Sequence, residues 1–248
     1  MKLSIDRILT KLDEHLHRND YVGAERHLLY WLEEARLAND GRAQLLVCNE
    51  LMGLYRKQGQ EEEAVRMMQT ALDTVKQLGI GQQVGAATTY LNAATVCKAF
   101  GRAAQGLPLF EKARTIYERE LEPTDHRLAG LYNNMALALA DVGRYDEAEA
   151  LNRRAIDIML THPDGAPEAA ITYLNMASAA EAQLGLEAAE ETIATHLQTA
   201  RALLEGHQSR DGNYAFVCEK CATVFGYYGH FAYAKELSER ARDIYEGT

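Results

Sequence analysis

One phrase recurs along this 248-residue chain at a nearly constant interval: Tyr90-Leu91-Asn92-Ala93-Ala94, Tyr132-Asn133-Asn134-Met135-Ala136 and Tyr173-Leu174-Asn175-Met176-Ala177, 42 and then 41 residues apart. Self-similarity at such a period marks an array of supersecondary units, and it constrains the fold more than any single motif. A second pattern follows each phrase: a glycine, a small residue five positions on and an alanine seven after that. The sets are Gly59, Ala64 and Ala71; Gly101, Gly106 and Ala113; Gly143, Ala148 and Ala155; Gly229, Ala234 and Ala241. Asn19 with Ala24 opens the same pattern near the start of the chain.

The second pattern describes a helix hairpin. Glycine, or less readily asparagine, takes the left-handed conformation that ends one helix. Small residues seven apart then share one stripe of the next helix, where two helices approach closely. A hairpin apolar on both sides cannot bury itself, so neighbouring hairpins must stack. With 38 alanines against four prolines, the composition favours helix over turns and strands. The expected fold is all-α, a solenoid of about six hairpins filling one domain. The expected helices are 2–18 and 21–38, 41–58 and 61–78, 82–100 and 103–120, 125–142 and 145–161, 165–184 and 187–205, 211–228 and 231–246, leaving repeats 2–38, 41–78, 82–120, 125–161, 165–205 and 211–246.

Glu122-Pro123-Thr124-Asp125 and Thr161-His162-Pro163-Asp164 each place a proline and a capping residue where one hairpin should give way to the next. In the fifth unit the alanine matching Ala155 is Ala200, so extra residues are expected near Leu186 to Thr192. Pro108 falls near the start of a helix, where amides lack intrahelical partners, and is expected to cost little.

The pattern resembles the tetratricopeptide repeat, and its 42-residue spacing resembles the kinesin-light-chain branch of that family. The likeness is densest over Leu121 to Ile158, in the Pro-x-Asp loop, the Asn-Asn-Met-Ala phrase and the Gly-Arg-Tyr-Asp-Glu-Ala turn; Leu107-Pro108-Leu109-Phe110 is similar to another element of the branch. The resemblance implies a protein-binding scaffold whose first helices line a concave groove. It also implies that Asn92, Asn134 and Asn175 grip the backbone of a bound peptide.

An amide side chain donates and accepts at once, so it can pair with an extended peptide without reading its side chains. The competing reading of these asparagines is a cap or a bridge between adjacent repeats. Arg56 and Lys98 lie six residues beyond Glu50 and Asn92, close to the same helix face, and Lys220 takes the asparagine position in the last unit. Together with Asn49, Lys57 and Asn133 they outline a mixed groove with basic points for an acidic side chain or a C-terminal carboxylate. Glu50, Asp141, Glu181 and Glu219 set acids along the same groove, which departs from the family's carboxylate clamp. Apolar pockets near Leu91, Leu137 and Leu174 would have to supply most of the affinity.

Other chemistry finds little support. A net charge of −10 argues against nucleic acid. No run is apolar enough to span a bilayer, and the start of the chain lacks the apolar stretch of a signal peptide. A cytoplasmic protein with reduced Cys48, Cys97, Cys218 and Cys221 is expected. Cys218 and Cys221 occupy positions that pack in the other units and read as core residues, not as a redox or zinc pair. His15, His17, His27, His126, His162, His196, His207 and His230 show no ligand spacing, so no metal or cofactor is expected. Trp31 stands where other units have alanine and is expected to pack. Phe225, Tyr227, Tyr228, Phe231 and Tyr233 read either as internal packing or as a patch that docks another subunit. The leading reading is a non-catalytic adaptor for a peptide segment of a partner protein. Its rivals are a structural subunit, which would form a homodimer through the terminal repeats, a peptide-signal receptor of the helical-repeat sensor type, and an enzyme using Cys218 and Cys221.

Overall fold

A computed structural model describes residues 3–247, and among them every regular element is an α-helix. The helices are α1 (Ile5–His17), α2 (Tyr21–Leu37), α3 (Gly41–Gln58), α4 (Glu61–Gln77), α5 (Val84–Ala99), α6 (Ala103–Glu120), α7 (His126–Asp141), α8 (Tyr145–Met159), α9 (Ala166–Leu184), α10 (Leu186–Gly206), α11 (Gly212–Tyr227) and α12 (Phe231–Glu246). They follow the expected spans closely. Residue Lys2, the expected start of the first helix, lies outside the described residues. The chain forms two compact units, Met1–Glu120 and Leu121–Thr248, each carrying three hairpins.

The hairpin turns form where the sequence places them. Gly59 takes φ 71° and ψ 19°, a left-handed conformation that costs glycine no Cβ clash, and its amide donates to the Arg56 carbonyl. Asn19 does the same work with φ 54°. The small residues then meet the preceding helix: Ala64, Ala71, Ala113, Ala148 and Ala155 are buried. Gly106 sits so close to α5 that a Cβ would lie 2.9 Å from the Ala94 carbonyl oxygen.

Between hairpins, aspartates start the first helices. Asp40 accepts from the Ala43 amide at 3.1 Å, Asp125 from Arg127 and Asp211 from Tyr214, each at 2.9 Å. Asp164 does not act this way. The residue before α9 is Gly165, which caps through no side chain and lies against Met159, whose carbonyl oxygen would stand 1.8 Å from an added Cβ. Pro108 also departs from expectation. It is the sixth residue of α6, beyond the four unpaired amides, and so removes the bond that an amide there would give to residue 104.

The extra residues of the fifth hairpin are absorbed as helix. Gly185 (φ 80°, ψ 159°) is the single residue between α9 and α10, and α10 runs for 21 residues where the other second helices have 15 to 18. The added turn carries buried Ala189 ahead of Ile193, Leu197 and Ala200.

In the first unit α2 packs on α3 and α4 on α5, around Leu28, Leu51, Met52, Tyr55 and Met67. Trp31 is partly buried against this core, edge-on to Tyr30, with Arg7 6.0 Å from its ring centre. In the second unit α8 packs on α9, and a core of Leu174, Ile193, Leu197, Tyr214, Phe225 and Leu237 joins its last two hairpins. Cys218 and Cys221 lie in that core, and all four thiols are free and buried. Burial pushes the Cys48 and Cys221 thiols up to about 12.

Candidate peptide-binding face

The first helices of successive hairpins touch: α3 meets α5 in one unit, and α9 meets both α7 and α11 in the other. This places the half-buried asparagines of the repeated phrase along shared faces. They are joined to one another. Asn92 Nδ2 donates to Asn49 Oδ1 at 2.8 Å, and Asn49 Nδ2 donates to Thr89 Oγ1 at 3.0 Å and to the Leu45 carbonyl at 2.8 Å. The second unit repeats the device, with Asn175 Nδ2 and Thr172 Oγ1 each donating to Asn133 Oδ1 at 3.3 Å.

Thr89 and Thr172 are fully buried; the Thr89 hydroxyl, while accepting from Asn49, donates to the Gly85 carbonyl, and the single Thr172 hydroxyl proton is shared between Asn133 Oδ1 and the Glu168 carbonyl at 3.1 Å. Back-bonding of this kind satisfies a buried hydroxyl one turn down a helix. Sequence reading missed both threonines, although the signal was present: Thr-Tyr-Leu-Asn occurs at 89–92 and again at 172–175, each about one repeat after Asn49 or Asn133. The bridge therefore joins the second hairpin to the third and the fourth to the fifth.

Asn92 and Asn175 thus serve as bridges between repeats, while their Oδ1 atoms accept no hydrogen bond among the described residues. Asn134, aligned with them in sequence, instead donates to the Gly130 carbonyl of its own helix at 2.8 Å. Removing all three asparagines would consequently alter the packing of repeats as well as the exposed face, so that triple substitution does not isolate binding.

The charged residues are dispersed. Arg56 on α3 is exposed, Lys57 Nζ stands 4.9 Å over the Tyr21 ring, and Lys98 on α5 is half-buried. Lys220 on α11 is exposed, 5.5 Å over the Phe216 ring. Glu50 is half-buried on α3, where desolvation, with the Asp13 charge adding to it, raises its carboxyl pKa. Glu181 receives the Tyr227 hydroxyl at 2.8 Å and the Tyr228 hydroxyl at 2.7 Å. Of the three leucines expected to line pockets, Leu91 and Leu137 are half-buried, but Leu174 belongs to the core and is closed to a ligand.

Most of the histidines pack or cap locally. His15 Nδ1 meets Asp20 at 2.8 Å, His27 Nε2 meets the Ile8 carbonyl at 2.9 Å, and His207 stacks on Tyr214. The aromatic cluster of the last hairpin divides: Phe225 and Tyr233 are buried edge to face, whereas Tyr227 and Phe231 are exposed. No described helix is long and apolar enough to cross a membrane.

Residues 42–119 and 85–161 match the tetratricopeptide repeat model. No curated protein sequence matches the chain. Among solved structures, a kinesin light chain protein of nearly identical TPR-like repeats from Podosopora anserina is 19% identical, with a TM-score of 0.57 over 81% of this chain and 94% of that one. A variant of that same protein gives 0.58 over the same shares and at the same identity. BtubC (BKLC) from P. vanneervenii is 17% identical, with a TM-score of 0.57 over 93% of this chain and 91% of that one. Repeats of this kind mediate protein–protein interactions. Residues 42–161 thus carry the tetratricopeptide repeat, and the chain shares the all-α repeat fold of these kinesin-light-chain-like structures.

Proposed function

We propose that this protein is a non-catalytic scaffold that holds a peptide segment of a partner protein along the first helices of its hairpins. The observation that carries the reading is the row of half-buried amides shared by touching first helices, with Asn92 and Asn175 Oδ1 left as acceptors. An extended peptide has one donor and one acceptor per residue, and such a row can pair with it. Exposed Arg56 in the first unit and exposed Lys220 in the second each supply a positive point for an acidic residue of a peptide, while Glu50 keeps the face of the first unit from being uniformly basic.

Hydrogen bonding alone does not suffice. A micromolar complex needs about −8.2 kcal/mol, and one neutral hydrogen bond contributes about 0.5–1.5 kcal/mol. Half-buried Leu91 and Leu137 therefore matter as apolar contacts. Four reduced, buried thiols support a cytoplasmic setting.

The test starts from a partner captured by the native chain and reduced to its shortest binding peptide. Asn134→Ala, which removes only a bond within its own helix, should weaken that peptide severalfold, and Gln69→Ala on α4 should leave it unchanged. The opposite ranking would move the binding face to the second helices.

A further inference from the structure

The seam between the fifth and sixth hairpins differs from the other seams within each unit. In this unit α8 lies packed on α9, but α10 and α11 converge near Leu204, whose carbonyl accepts from the Tyr214 hydroxyl at 3.4 Å, and stand apart toward the start of α10. A groove of about 430 Å³ occupies the opening. Leu186, Glu187, Glu190 and Ile193 of α10 form one wall, and Tyr228 and His230 of the α11–α12 turn form the other. Leu186 belongs to the extra turn of α10, so the insertion that lengthens this helix also builds the groove.

The rim is apolar and open. Leu184 is 54% exposed, Leu186 58%, Tyr227 70% and Phe231 73%, all gathered at the turn end of these two hairpins. Glu181, by accepting both tyrosine hydroxyls, holds the Tyr227 and Tyr228 rings in place. An exposed apolar cluster beside a preformed groove is costly for a lone domain and marks an interaction site.

The charge in the groove indicates the occupant. Glu187 and Glu190 are one turn apart on the same face, the side chain of neither meets a hydrogen-bonding or ionic partner among the described residues, and no lysine or arginine lines the opening. The helix dipole favours Glu187 in the first turn but gives Glu190, a turn further in, no comparable benefit. Like charges so spaced repel, and a cation between them relieves both. The stripe from Leu186 to Leu197 is roughly 17 Å long, the reach of a short helix laid in a groove.

We propose that this seam docks an amphipathic helical segment of a partner protein whose apolar side chains enter between α10 and the α11–α12 turn and whose lysines or arginines pair with Glu187 and Glu190. None of the bridging asparagines lines this groove. The experiment is fluorescence anisotropy on the full chain with a labelled amphipathic helical peptide of leucine, alanine and lysine, and with its counterpart in which glutamate replaces lysine. The lysine peptide should bind, and the glutamate peptide should bind about tenfold more weakly. Glu187→Lys with Glu190→Lys should reverse that order, Leu186→Ser should weaken both peptides, and Asn134→Ala should change neither. The remote pair Glu62→Lys with Glu122→Lys, which alters net charge equally, should leave the order intact; reversal by this pair as well would reduce the effect to net charge and overturn the proposal. Circular dichroism confirms that each variant is folded. Equal binding by the Glu187/Glu190 variant, or self-association of the chain that Leu186→Ser abolishes, would also overturn it, the latter by making a second copy the occupant.

Discussion

Asn92 and Asn49 lie 43 residues apart in sequence, and their side-chain amides meet at 2.8 Å, tying the first helix of one hairpin to that of the next. Asn133 and Asn175 repeat the tie at 3.3 Å. Asn49→Ala removes the acceptor for Asn92 and the donor to Thr89, so it should destabilise the chain by about 1–2 kcal/mol. Asn133→Ala, losing longer bonds, should cost about 0.5–1 kcal/mol. Urea midpoints of the two variants test this, and equal losses would mean that the amide geometry is not what joins the repeats.

Two glycines in helix interiors should respond to alanine with opposite signs. At Gly106 the new methyl would crowd the Ala94 carbonyl oxygen at 2.9 Å and the Cys97 Cβ at 3.2 Å, forcing α6 away from α5 at a cost of about 1–3 kcal/mol. At Gly53 nothing stands within 4 Å, and the smaller backbone entropy lost by alanine should stabilise α3 by about 0.5–1 kcal/mol. Thermal denaturation of the single variants should therefore move the Tm down for Gly106→Ala and up for Gly53→Ala.

Asn152 on α8 is buried, and its Oδ1 meets no hydrogen-bond donor among the described residues. An orphaned buried acceptor forfeits its hydration without compensation. Asn152→Leu, which keeps the branched shape but carries methyls in place of both polar atoms, should raise stability by about 1 kcal/mol in urea titration. A loss of stability would place an unseen partner, such as a bound water, at that oxygen.

The thiols predict an alkaline limit. Cys48 and Cys221 have folded pKa values raised to about 12, against about 8.5 for a free thiol. Between these values the unfolded chain has lost protons that the folded chain keeps. Stability from this source is thus complete below about pH 8.5 and falls as pH rises toward 12, by about 1.4 kcal/mol per pH unit for each thiol. Urea unfolding at successive pH values should show the decline, and Cys48→Ala with Cys221→Ala should lessen its slope, leaving the part due to Cys97 and Cys218, whose thiols burial also raises. At pH 8 both thiols should resist alkylation until the protein is unfolded; rapid labelling of the folded chain would contradict their burial.

Helix boundaries were legible in the sequence to within a few residues because they rest on local chemistry: the left-handed residues at Asn19 and Gly59, the caps at Asp40 and Asp125, and the seven-residue spacing of Ala64 and Ala71. The same reasoning failed at Asp164 and Pro108, where a position one residue or one turn along the chain changes which amide is left unpaired.

What the sequence determined by itself was the period, the hairpins and the stripe of small residues, since each depends on neighbours within about two turns of helix. The partners of the asparagines were decided by tertiary structure. Successive residues point about 100° apart around a helix, so Asn133 reaches across to α9 while Asn134 turns back on α7, and identical side chains one position apart acquire different roles. Which direction faces a neighbour depends on how helices some 40 residues apart cross, and that is set jointly by the packing of several hairpins. The open seam beside α10 has the same origin: an added turn is visible as extra residues, but the gap it leaves exists only once α11 and α12 are folded opposite it.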